Sequence, residues 1–166
     1  MSQQVLLTYK TFSEEETQAL AVRLEAVLGA GDMVALVGDL GAGKSVIARA
    51  VVHARLGDLD ADVPSPTFTL IQTYEASGKV PIWHADLYRL DDEEDVYELG
   101  FDEAMDTATM LVEWPDKLPA AWLGGCLIIR ITIDPEVIGS RVIEFMGDDL
   151  WQVRLKDLSP KELRHE

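Results

Sequence analysis

The chain has 166 residues, 48% of them hydrophobic, enough for one sizeable core, so a single domain over residues 1–166 is expected. Its net charge of −16, from 30 acidic against 14 basic residues, repels phosphate backbones; direct tight binding of DNA or RNA is not expected, and a basic protein partner is favoured. No run reaches the roughly 18 apolar residues of a membrane span, and Met1-Ser2-Gln3-Gln4 lacks the basic, then apolar start of a signal peptide, so a cytoplasmic protein without a membrane partner is expected.

In chain order, Ser13 and Glu16 have capping-box spacing, and Leu20, Leu24, Val27 and Leu28 share one helical face up to Gly29. An amphipathic first helix follows. Met33 to Val37 is an apolar run of strand length, and a helix is expected from Lys44 to about Arg55, bearing Val46, Ala50, Val51 and Ala54. After Pro64 and Pro66, the runs 68–74 and 80–84 flank Ala76-Ser77-Gly78-Lys79 as a hairpin. The acidic run Asp91 to Asp95 precedes Val96, Leu99 and Phe101, and carboxylates at a helix start suit its dipole. Thr109 to Val112 and Cys126 to Ile133 read as buried strands, with the lone Cys126 packed as a small apolar group. Arg141 to Met146 and Leu150 to Leu155 nearly alternate around Gly147-Asp148, which suggests a closing hairpin.

Between the first strand and the second helix stands Gly38-Asp39-Leu40-Gly41-Ala42-Gly43-Lys44-Ser45. This is a P-loop. Glycines let successive backbone N–H groups point at phosphate oxygens, Lys44 can reach the β and γ phosphates, Ser45 can ligate Mg²⁺, and the helix N-terminus adds partial positive charge. Four specified positions coincide by chance only about once in 200 chains of this length, and the flanking strand and helix are what the motif requires. The expected ligands are ATP and Mg²⁺.

Mg²⁺ takes hard oxygen ligands and keeps waters, so a carboxylate at a neighbouring strand end is needed. Glu113 follows the apolar run Met110-Leu111-Val112, at the carboxyl end where ligands of open α/β sheets bind. Asp86 follows Ile82-Trp83-His84-Ala85, read as a less deeply buried hairpin strand. Glu113 is therefore assigned to Mg²⁺ through water, and Asp86 to the metal's outer shell or to orienting the attacking water, with the reverse assignment open. Thr67, in Ser65-Pro66-Thr67-Phe68, sits where nucleotide-binding proteins place a loop that senses the γ phosphate. His84 reads as a hydrogen-bonded structural residue. Arg89 is open between stabilising phosphate in cis and a surface salt bridge to the acids that follow.

Gly38 to Ser45, Ser65-Pro66-Thr67-Phe68-Thr69, His84-Ala85-Asp86-Leu87-Tyr88-Arg89 and Leu111-Val112-Glu113-Trp114 together resemble the TsaE family, also called YjeE. The likeness runs from about residue 12 to 135 and is most specific where His-x-Asp-x-Tyr-Arg combines with Glu-Trp. It implies an α/β, P-loop NTPase-like three-layer fold with a mixed, mainly parallel sheet and a β-hairpin. It also implies a small bacterial ATPase needed for N6-threonylcarbamoyladenosine at position 37 of tRNA, which docks on the TsaB–TsaD heterodimer and resets that transferase, meeting tRNA only through the complex. Carried over by motif, Lys44 and Ser45 hold phosphate and Mg²⁺, Glu113 is a Mg²⁺ ligand, Asp86 is required for hydrolysis, Trp114 lies by the site, and Thr11 with Phe12 reaches the adenine side. Ser45 departs from the more usual Thr, and either hydroxyl can ligate magnesium.

A small-molecule kinase is the alternative, since it can use the same loop. It needs a basic lid, whereas Arg89 is the only base between Asp86 and Lys117. A nucleotide-dependent switch, in which binding matters more than hydrolysis, is not separated from the ATPase by residues alone.

Overall fold

A computed structural model describes residues 3–158. The elements, in order, are β1 (Gln4–Thr11), α1 (Glu14–Glu25), β2 (Met33–Val37), α2 (Lys44–Leu56), β3 (Ile71–Tyr74), β4 (Ile82–Asp86), α3 (Asp95–Glu98), α4 (Phe101–Ala104), β5 (Thr109–Glu113), β6 (Leu127–Ile133), β7 (Arg141–Gly147) and α5 (Asp149–Arg154). They form one seven-stranded sheet of order β1-β7-β6-β2-β5-β4-β3. The four strands β6, β2, β5 and β4 run parallel, while β3 pairs antiparallel with β4, and β7 and β1 extend the other edge antiparallel.

The side-chain period of two makes this a three-layer fold. In β2, Val34 and Leu36 pack with α1, α2 and α5, whereas Met33 and Ala35 pack with α3, α4 and the 3₁₀ turns after β5. β5 divides in the same way: Leu111 joins the first layer, and Met110 and Val112 join the second. Each such fully buried aliphatic side chain contributes roughly 1.5–3 kcal/mol.

The first helix has the expected cap, with Ser13 Oγ accepting from Glu16 N at 3.2 Å. Glu16 reaches back to Phe12 N at 2.7 Å, one residue beyond the usual partner. The hairpin around residues 76–79 forms as β3 and β4, in register from Ile71 opposite Ala85 to Tyr74 opposite Ile82. The acidic run leads into two single-turn helices, divided at Gly100, whose φ of +80° no other residue type adopts readily.

Three expectations need correction. The closing hairpin does not form, because Leu150 to Leu155 lies on helix α5 and the 3₁₀ turn that follows it, and β7 pairs with β1 and β6 instead. Asp148 caps α5, accepting from Leu150 N at 3.1 Å and Trp151 N at 3.2 Å, and Trp151, Leu155 and Leu158 bury one helical face. β4 is an interior strand rather than a shallow one, since it lies between β5 and β3, and Asp86 is buried. β6 is buried only in part, with Arg130, Thr132 and Ile133 exposed. Strand β1 was not anticipated.

Candidate functional site

The site forms where β2, β4 and β5 end on the same side of the sheet, because parallel strands bring their carboxyl ends together. β2 delivers the glycine loop, and helix α2 starts at Lys44 behind it. Gly41 and Gly43 have φ of +81° and +119°, values that side chains disfavour, and the space beside a Gly41 Cβ is open. Gly38 is glycine for a different reason. A Cβ there would lie 2.6 Å from the Ile131 carbonyl of β6, so the loop's close seat on the sheet demands it. Among the described residues, no acceptor takes the amides of Gly41, Gly43, Lys44 or Ser45. This leaves a nest of donors at a helix N-terminus, which is an anion cradle.

Lys44 lies folded back within the loop, donating to the carbonyls of Gly38 and Asp39, with its ammonium 3.9 Å above the Trp114 ring. Burial pushes its pKa down, and Glu113, Asp86 and Asp39 pull it back up. Ser45 Oγ donates to Glu113 Oε1 at 3.1 Å. Glu113, only 3% exposed, also meets His84 Nε2 at 2.7 Å through Oε2. Asp86 is the register partner of Glu113 on β4, so the two strand ends set the acids side by side. Its Oδ1 accepts from Tyr88 N at 3.1 Å and its Oδ2 from Thr67 Oγ1 at 3.3 Å. The Thr67 turn is held there by Leu70, at φ +68°, whose carbonyl accepts from Asp86 N at 2.9 Å.

Leu40, Gly41, Gly43, Lys44, Ser45, Thr67, Asp86, Glu113 and Trp114 all face one cleft. Trp114, at φ +59°, turns the chain out of β5 into Pro115 and walls that cleft. Gly38 and Asp39 lie behind the loop, beside Trp114 and Pro115. Ala42 lines a second cleft on the loop's other flank, with Ser13, Thr17, Gly139 and Arg141. Thr11 is buried just beneath that flank, its hydroxyl 2.8 Å from that of Thr17, and it does not line either cleft. Arg89 lies with its guanidinium 5.4 Å from the Phe68 ring centroid.

The donor set fits Mg²⁺ with a polyphosphate. Two carboxylates and one hydroxyl converge, and among the described residues no group of three or more His, Cys, Asp and Glu could hold a metal alone, so a Mg²⁺ ion held here would need phosphate and water oxygens to complete its shell. Two carboxylates, Asp86 and Glu113, face this cleft together with one lysine, Lys44.

Two contacts escaped the sequence. Arg141 donates from Nε to the Ala42 carbonyl at 2.7 Å and so braces the loop from β7, 99 residues away. The His84–Glu113 contact joins positions 29 apart on neighbouring strands. Neither leaves a local signal.

The family model described as threonylcarbamoyl adenosine biosynthesis protein TsaE matches residues 11–142. A tRNA threonylcarbamoyladenosine biosynthesis protein TsaE from Rickettsia conorii is 47% identical over 104 residues, covering 63% of this chain and 58% of its own length. That of Bacillus subtilis is 40% identical over 109 residues, covering 65% of this chain and 66% of the relative. The matches thus span about three-fifths of the first relatives' length. The crystal structure of Bacillus subtilis YdiB superposes with a TM-score of 0.73 at 29% identity, covering 97% of both chains.

Proposed function

The chain belongs to the TsaE family, and from that premise we propose that it is a Mg²⁺-dependent P-loop ATPase of the bacterial machinery that makes N6-threonylcarbamoyladenosine at position 37 of tRNA, acting with TsaB and TsaD. The observation that carries the reading is the convergence of unpartnered loop amides, Lys44 and Ser45 with the adjacent carboxylates Asp86 and Glu113. In this reading the amides of Gly41, Gly43, Lys44 and Ser45 bind phosphate oxygens, and Lys44 leaves its loop carbonyls for the β and γ phosphates. Ser45 and Glu113 would hold Mg²⁺, which when bound neutralises charge on the phosphate oxygens. Asp86, positioned by Thr67 and the Tyr88 amide, orients the attacking water. Thr67 is the residue through which the turn responds to the γ phosphate.

Hydrolysis by the isolated protein is slow in this reading. Arg141 is engaged with loop carbonyls and Arg89 with Phe68, so among the described residues no arginine lines the phosphate cleft, and an arginine finger is worth about 10³ to 10⁵ in rate. TsaB and TsaD then supply the acceleration. The charge of −16 argues that tRNA arrives on a more basic component. The setting is cytoplasmic, and no described helix is long and apolar enough to cross a membrane.

The test is a reconstitution of tRNA, threonylcarbamoyl-adenylate, TsaB and TsaD, counting modified adenosines per transferase as this chain and ATP are added. Multiple turnovers should require both, and the heterodimer should stimulate ATP consumption. Many turnovers without the chain, or with Lys44→Ala as readily as with the unaltered protein, would overturn the proposal. ATP consumption that tracked phosphorylation of a small metabolite would favour a kinase.

A further inference from the structure

His84 is fully buried on β4, on the sheet face that carries α2, as its neighbour Ile82 shows by packing in that layer. Glu113 has the same parity as Leu111 on β5 and points to the same face. The imidazole Nε2 lies 2.7 Å from Glu113 Oε2, while Ser45 Oγ donates to Oε1 at 3.1 Å and reaches Oε2 only at 3.4 Å, so the imidazole is the nearer holder of Oε2. A carboxylate only accepts, so the imidazole carries its proton on Nε2. Nδ1 is buried without a partner among the described residues.

An unpartnered buried nitrogen costs stability, and Leu or Met would fill this strand position without one. What imidazole supplies is a rigid donor that fixes the plane of a three-torsion carboxylate. We infer that His84 is the positioning residue for Glu113, holding Oε2 so that the carboxylate is presented to the cleft in the orientation that receives Mg²⁺. The inference rests on the reading of Glu113 as a Mg²⁺ ligand. Removing the outer partner of a metal ligand typically weakens metal binding about 10- to 100-fold.

The test compares His84→Met, which keeps the packing and loses the donor, with His84→Gln, whose amide nitrogen falls near the position of Nε2. A nonhydrolysable ATP analogue is bound by calorimetry at rising Mg²⁺, and again in EDTA, with Glu113→Gln as control. His84→Met should raise the Mg²⁺ concentration for half-saturation about 10- to 100-fold, His84→Gln should recover most of that, and binding in EDTA should be equal in all. A merely structural histidine would change the melting temperature and leave the Mg²⁺ requirement alone. If His84→Met binds like the unaltered protein while Glu113→Gln is shifted, the inference falls and the role of Glu113 stands. If Glu113→Gln is not shifted, the ligand reading itself fails and takes the inference with it. Should His84→Met not fold, His84→Gln against the shorter His84→Asn gives the same comparison, and equal Mg²⁺ requirements for the two would overturn the inference.

Discussion

Strand β5 ends in a buried polar cluster on either side, and the two clusters differ in how completely their groups are matched. At Thr109, the Arg55 guanidinium meets Glu25 at 2.6 Å, the Val80 carbonyl at 2.7 Å, the Leu28 carbonyl at 3.2 Å and the Thr109 hydroxyl at 3.3 Å. At Glu113, Lys44 shares one cleft with two carboxylates, His84 Nδ1 has no partner, and the amides of Gly41, Gly43, Lys44 and Ser45 have no acceptor among the described residues. The first cluster joins α1, α2, β5 and the loops before β2 and β4. The second holds groups whose unmet charge and hydrogen-bonding capacity suit an incoming cation and polyphosphate. Burial alone therefore does not set the proposed site apart; incomplete matching does.

The contrast should be visible first in stability. Arg55→Met leaves Glu25 without its partner and should lower the unfolding free energy by about 3 kcal/mol, the low end for a broken buried pair because Glu25 is partly exposed. Denaturant titration measures this, and a loss below about 1 kcal/mol would break the comparison. ATP binding by the folded fraction should be unchanged.

Lys44→Ala should do the reverse. Losing a charged donor to phosphate costs about 1.5–3 kcal/mol, so ATP affinity should fall roughly 10- to 150-fold by calorimetry. Stability should change far less than in Arg55→Met, because burial pushes the Lys44 pKa down and its charge already costs the folded state free energy at neutral pH. Unchanged affinity would mean that the loop is no phosphate cradle.

Within the second cluster the two acids should fail differently. Glu113→Ala should weaken Mg²⁺-dependent nucleotide binding, while Asp86→Ala should bind ATP and hydrolyse it roughly 100-fold more slowly, the lower range for a group that directs proton transfer or water. Single-turnover and binding assays separate these effects, and the opposite pattern would exchange the two roles.

Smaller effects belong to parts outside both clusters. Asp148→Ala removes the cap of α5 and should cost about 1 kcal/mol with no change in ATP hydrolysis. Cys126 is 2% exposed, and burial pushes its thiol pKa up, so iodoacetamide should label it at neutral pH only after unfolding. Rapid labelling of the folded protein would contradict the packed position.

Several elements were legible because their signals are local. The capping residues of α1, the apolar runs of β2 and β5, and the Ser77-Gly78 turn between β3 and β4 each announce themselves within a few positions. The C-terminal segment was misread because near-alternation in Leu150 to Leu155 masked a helical face, visible only when Trp151, Leu155 and Leu158 are counted together with the Asp148 cap. β1 went unread because its exposed and buried positions do not alternate cleanly, and it pairs with β7 across a register shift between Val5 and Leu7.

By itself, the order Gly38 to Ser45 between an apolar strand and a helix determined where an anion cradle forms, since left-handed glycines, a lysine and a hydroxyl at a helix start act through backbone geometry a few residues long. It also placed acids at the ends of strands. Only the tertiary structure decided that β4 and β5 run side by side with Asp86 opposite Glu113, that His84 holds the same carboxylate as Ser45, and that Arg141 braces the loop from β7, two strands along the sheet from β2. Those contacts join positions from 27 to 99 residues apart, set by strand order and register, and such pairings depend on which strands share a sheet rather than on any pattern along the chain.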